Sequence, residues 1–109
     1  MKNLFRTQSA EKLLEAILAL QNKDEAQIFL RDLLTEEEIK EFSSRFAVAR
    51  MLSDKVSYKQ IGKKTGMSST TIARISKWLS RGMGGYQLLI NRLNSSHHIH
   101  TQANLEVDS

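Results

Sequence analysis

The sequence predicts an all-α protein, on three observations. No proline interrupts its 109 residues, so helices can run unbroken. The apolar residues recur at helical rather than alternating spacing. Capping residues stand ahead of the apolar runs, and glycines cluster where the runs end.

The elements follow in order. The spacing of Leu13, Leu14, Ile17, Leu18 and Leu20 predicts a first helix from about Ser9 to Leu20 with a broad apolar face. Asn22 is placed to cap a second helix reaching Leu33, which carries Ile28, Phe29, Leu30 and Leu33. Thr35 and Glu38 have the capping-box spacing, in which each side chain satisfies a free N–H of the first turn. The acidic run Glu36 to Glu38 then reads as a helix start favoured by the helix dipole, rather than as a catalytic carboxylate group. This third helix is expected to reach Ser53 and to bury Ile39, Phe42, Phe46, Ala49 and Leu52. Ser57 and Gln60 repeat the capping-box spacing ahead of a short helix to Thr65, and Gly66 supplies the left-handed residue that ends it. Ser68 or Ser69 caps the next helix, which runs to about Arg81. Gly82, Gly84 and Gly85 break the chain, and Tyr86 to Leu93 form a last short helix. The domain organisation expected is one helical domain over 1–94 and a disordered tail over 95–109.

Composition narrows the function. There is no cysteine, which removes disulfides and zinc-thiolate sites. The apolar stretch Leu13 to Leu20 is interrupted by Glu15 and is too short to span a bilayer. A soluble cytoplasmic protein without membrane association is expected. The net charge of +4 is unevenly placed. Residues 1–54 carry eight Lys/Arg against ten Asp/Glu, whereas residues 55–105 carry Lys55, Lys59, Lys63, Lys64, Arg74, Lys77, Arg81 and Arg92 with no acid. Such a stretch cannot neutralise itself locally and presents a positive field. Double-stranded DNA is the leading partner, which would place the protein at the nucleoid. The alternative is a helical adaptor that binds an acidic protein through the same basic face.

The segment from Tyr58 to Ile75 carries the sharper signal. Gly62 is expected to let a second helix approach the first. Gly66 makes the turn, and Ile61, Met67, Ile72 and Ile75 fill the wedge between the two helices. These are the demands of a helix-turn-helix over about residues 57–79. A structural helical hairpin would need the same packing residues. The surface left over distinguishes the two. Ser68, Ser69, Thr70, Thr71, Arg74 and Lys77 lie opposite the apolar stripe, with short hydroxyl side chains at the end of a helix that would meet base edges. Lys59, Lys63 and Lys64 on the preceding helix are placed to reach phosphates.

No enzyme is expected. All three histidines lie in the tail, so no nucleophilic triad can be assembled. The basic half lacks the carboxylates that metal-assisted phosphodiester chemistry needs. His97, His98 and His100 are read as incidental rather than as metal ligands, and no cofactor site is expected.

These residues resemble the Trp repressor family. Leu33-Leu-Thr-Glu-Glu-Glu38, Ser44-Arg45 and Ser57 to Arg74 follow that family's order and spacing, and the chain is most similar to its YerC/YecD-type branch. The resemblance implies an intertwined helical homodimer acting as a sequence-specific transcription regulator, a repressor by analogy. It also implies an effector pocket. Tryptophan-sensing members hold their corepressor between two arginines, and Arg45 and Arg74 stand at the matching positions, with Thr35 at a ligand-lining one. However, Ile75 stands where glycine is usual and Trp78 where serine is usual. Two bulky side chains are expected to fill the cavity, so that free tryptophan is excluded. Trp78 then either fills the pocket itself or serves as a core residue beside Leu79 and Tyr86. Any other effector is unspecified by the sequence.

Overall fold

The computed structural model describes residues 3–108, and their side chains over 3–96. Among the described residues there are six helices and no strand. They are α1 (Gln8–Ala19), α2 (Lys23–Leu33), α3 (Glu36–Ser53), α4 (Tyr58–Thr65), α5 (Ser69–Arg81) and α6 (Gly85–Asp108). None of them is long and apolar enough to cross a membrane. The chain divides into two compact units, Met1–Lys40 and Glu41–Ser109, with the division inside α3.

In the first unit each helix start is set by one side chain. Thr7 caps α1, its Oγ1 accepting from the Ala10 N–H at 3.1 Å. Asn22 caps α2 by accepting from the Glu25 N–H at 2.9 Å. At the start of α3 both halves of the capping box form. The Glu38 N–H donates to Thr35 Oγ1 at 3.1 Å, and the Thr35 N–H donates to Glu38 Oε1 at 2.9 Å. The backbone N–H of Thr35, and then its side chain, hold the Glu38 carboxyl below its ordinary value of 4.5. Neither α1 nor α2 buries a residue within this chain. Leu14, Ile17, Leu18, Ile28, Leu30 and Leu33 all stay exposed, Leu18 by 85%.

The second unit holds the core. Val48 and Ala49 of α3, Ile61 of α4, Ile72 and Ile75 of α5 and Ile90 of α6 form one buried apolar cluster. Burying an isoleucine side chain is worth about 1.5–3 kcal/mol, so the four isoleucines join these helices strongly. Phe46, Met51, Leu52, Val56, Met67, Leu79 and Tyr86 pack around them, and the rings of Phe46 and Tyr86 stack at 6.3 Å. Two details differ from the sequence reading. Val48 is fully buried, whereas Phe42, expected inside, is exposed, with no buried side chain of the core cluster over it and the guanidinium of Arg45 5.5 Å from its ring centroid.

α3 ends without a glycine. The Val56 N–H donates to the Met51 carbonyl at 3.0 Å and the Lys55 N–H to the Leu52 carbonyl at 3.0 Å, which are the two bonds of a Schellman motif. Lys55 takes the left-handed position, with φ 66°, where an L side chain is disfavoured.

The last helix is longer than expected, since α6 runs Gly85–Asp108 rather than over Tyr86 to Leu93. Gly84, with φ 87°, provides the preceding turn, and neither proline nor glycine follows Gly85 to stop the helix. The side chains of 97–109, including His97, His98 and His100, lie outside the described residues, and most of the expected tail falls on them.

Candidate nucleic-acid interface

The α4–turn–α5 segment is fixed by local chemistry before any packing. Ser57 caps α4, its hydroxyl accepting from the Gln60 N–H at 3.2 Å. The reciprocal half of the expected capping box, from the Gln60 side chain, is not formed among the described residues, so this start is a simple N-cap. Gly66 closes α4 with φ 73°, its N–H donating to the Gly62 carbonyl at 2.8 Å. Thr65 binds the turn from both sides, a role that sequence reasoning missed. Its hydroxyl donates to the Ile61 carbonyl at 2.7 Å and accepts from the Met67 N–H at 3.1 Å. A threonine immediately before a helix-ending glycine was the available signal.

Ser68, not Ser69, caps α5 and accepts from the Thr71 N–H at 3.2 Å. Its hydroxyl also donates to Thr71 Oγ1 at 3.0 Å. The two hydroxyls are thus engaged with each other at the start of α5. Gly62 does not have the role expected of it. A Cβ built there would sit 3.6 Å from the Met67 carbonyl oxygen, an ordinary contact, so alanine would fit.

The stripe Ile61, Met67, Ile72 and Ile75 faces the core as expected, with Met67 half-buried and the isoleucines fully so. On the remaining surface Lys59, Lys63, Lys64, Ser68, Ser69, Thr70, Arg74 and Lys77 are all exposed, and Thr71 is half-buried. The residues picked for DNA contact are therefore accessible to solvent on α4, α5 and the cap between them, Thr71 only in part. None of their cations enters an ion pair among the described residues.

A recess of about 230 Å³ opens beside α5. Glu41, Ser44 and Arg45 of α3, Met67 of the turn, and Thr71, Arg74 and Trp78 of α5 line it. This brings together Arg45, Arg74 and Trp78 of the five residues expected at an effector pocket. Ile75 is not among them: it is fully buried in the core cluster. Thr35 belongs to the first unit, where its hydroxyl caps α3. Of the two bulky side chains expected to fill the effector pocket, Trp78 lines this recess and Ile75 does not.

Trp78 is 41% exposed, which makes it a wall of the recess rather than a core residue. The Arg45 guanidinium carbon lies 5.8 Å from its ring centroid and 5.5 Å from that of Phe42. Arg45 Nη2 also donates to Glu41 Oε1 at 2.7 Å, an ion pair one helical turn apart. Arg74, in contrast, is exposed and makes no hydrogen bond or ion pair among the described residues.

Comparison with known proteins agrees with this architecture. The family profile described as Trp repressor protein matches residues 8–94. An uncharacterized protein, YerC, of Bacillus subtilis (strain 168) is 33% identical over 92 residues, covering 84% of this chain and 88% of that protein. A TrpR-like protein from Eubacterium eligens ATCC 27750 superposes with a TM-score of 0.80 at 42% identity, over 85% of this chain and 96% of the other. A candidate Trp repressor from Staphylococcus aureus gives a TM-score of 0.78 at 32% identity, over the same shares of the two chains. With its helical order, its α4–α5 pair and a profile match over most of its length, the chain belongs to the Trp repressor family.

Proposed function

We propose that the protein is a homodimeric, sequence-specific DNA-binding transcription regulator, a repressor by analogy with its family, which reads DNA with α5 and does not respond to free tryptophan. The observation that carries this reading is the division of α4 and α5 into two sides. Ile61, Ile72 and Ile75 are buried, and Lys59, Lys63, Lys64, Ser69, Thr70, Arg74 and Lys77 are exposed together. Exposed lysines on α4 suit phosphate contacts. The hydroxyls and the arginine along α5 suit base edges in a major groove, which admits a single helix. Residues 55–105 carry no acid to oppose the approach of a phosphate backbone.

The first unit supports the dimer. A soluble chain leaves two helices without a single buried residue only where something else covers their apolar faces. A second copy would do so while placing two α5 helices on one duplex, with half-sites roughly 34 Å apart. The insensitivity to tryptophan rests on the recess. Trp78 lines it, and Arg45 is already held by Glu41, Phe42 and Trp78.

Selection of bound duplexes from random DNA tests the reading, with and without L-tryptophan. The expected result is one palindromic consensus in both conditions, lost in the double variant Thr70→Ala, Arg74→Ala. No enrichment above a control without protein would refute it.

A further inference from the structure

We propose that Trp78 and Arg45 are positioning residues for α5, forming a strut that sets the rotation of the DNA-reading helix without any bound ligand. This rests on the DNA-binding reading above and deepens it. The backbone of α5 lies closest to α4 and α6. Toward α3 the buried cluster supplies apolar contacts through Val48 and Ala49, and such contacts have little directional preference. On the recess side the link is different in kind. One guanidinium stands over two aromatic rings, Phe42 of its own helix and Trp78 of α5, and is pinned by Glu41. An arginine held at two points on its own helix, by Glu41 and Phe42, has already lost part of the rotamer freedom that it would otherwise give up on meeting the indole. The contact is therefore pre-organised from the α3 side.

Helical geometry carries the effect to the DNA face. Thr71, Arg74 and Trp78 are spaced i, i+3, i+7, which puts them on one stripe of α5. All three line the recess. Anchoring the indole at the C-terminal end of that stripe fixes the azimuth of Thr71 and Arg74, because a helix turns as a unit. In a binding site whose specificity depends on a few hydrogen bonds to base edges, a small rotation moves all of them together.

The test uses the full chain and the duplex obtained by selection, with a scrambled duplex of equal length as control. Trp78 is the only tryptophan, so its emission reports on the strut directly. Arg45→Met is expected to shift that emission to the red and to increase its quenching by acrylamide, while circular dichroism stays unchanged. Trp78→Ala and Arg45→Met are each expected to weaken binding to the selected duplex about two- to fivefold, the scale of one exposed cation–π contact converted to affinity. Binding to the scrambled duplex should hold, since phosphate contacts do not depend on the azimuth of α5. Trp78→Phe, which keeps an aromatic face, should restore most of the loss. Folded Trp78→Ala and Arg45→Met variants that bind the selected duplex as tightly as wild type would overturn the proposal. So would an Arg45→Met protein whose tryptophan emission is unaltered. If wild type itself binds no duplex, the DNA-binding reading falls and the positioning role with it, an outcome separate from the other two.

Discussion

Gly62 and Gly66 lie one turn apart, and the structure predicts opposite responses to alanine. At Gly66 the backbone is left-handed, φ 73°, and an added Cβ meets nothing within 4 Å. Any penalty there is conformational rather than steric. A left-handed L residue costs about 1–2 kcal/mol, and the stiffer unfolded chain returns about 0.4–1 kcal/mol. Gly66→Ala should thus destabilise by about 1 kcal/mol, and Gly66→Asn by less, because asparagine tolerates this region. At Gly62 the helix is regular and the new Cβ makes an ordinary 3.6 Å contact with the Met67 carbonyl oxygen. Replacing an interior helical glycine by alanine gains about 0.8–1 kcal/mol. The two variants should therefore differ by about 2 kcal/mol, or about 8 °C in Tm at the low end of the shift for a domain of this size. Thermal unfolding followed by circular dichroism, at one fixed protein concentration because assembly would shift Tm, measures this. Shifts of the same sign at both glycines would refute the reasoning about the turn.

Four further outcomes follow from the same structure. Lys55→Gly should stabilise the protein by about 1 kcal/mol by relieving the left-handed lysine that ends α3, read by urea denaturation, and a loss of stability would contradict the Schellman geometry. Ile75→Ala, at a site with no exposure, should cost about 2–5 kcal/mol in the same assay. Glu38 has a folded pKa below its ordinary value of 4.5, through the hydrogen bonds from Thr35. Its contribution is present above the unfolded pKa and is lost as pH falls through the folded one. Stability measured across the acid range should therefore decline less steeply in Glu38→Gln than in wild type. Finally, if six to eight phosphates are contacted per dimer, log affinity for DNA should fall with log salt at a slope of about −5 to −7, and a titration with no slope would remove the electrostatic argument.

What was legible in the sequence was mostly local. Asn22, the Thr35–Glu38 pair, Ser57 and Ser68 act on N–H groups three residues away, so a short window contains both partners of each bond. The isoleucines at 61, 72 and 75 were legible at α4 and α5 because helical periodicity assigns a face without knowledge of what covers it. The candidate interface followed for the same reason, as the face left over. Lys55 was hidden because its conformation runs against its own propensity and is imposed by the chain around it. Phe42 and Trp78 were hidden for another reason. Periodicity places both toward an interior, and only the folded chain shows both rings exposed, with Arg45 over each of them. Ile75 was misplaced because the resemblance assigned it to a pocket, whereas α5 turns it into the core.

The N-caps of α1 to α5 have a bearing on time as well as on stability. When each start is decided within one turn of itself, helices can form on the sub-microsecond to microsecond scale of helix–coil relaxation, before distant residues meet. The cluster around Ile61, Ile72, Ile75 and Ile90 draws on helices that are neighbours or near neighbours in the chain, the pattern associated with rapid folding. α1 and α2 bury no residue fully among the described residues. If a second copy covers their apolar faces, as proposed, those faces wait for an encounter whose rate depends on concentration, and newly made molecules would complete the core of the second unit before the first. In a cell with few copies, that interval would set how soon after synthesis the protein can act as a pair.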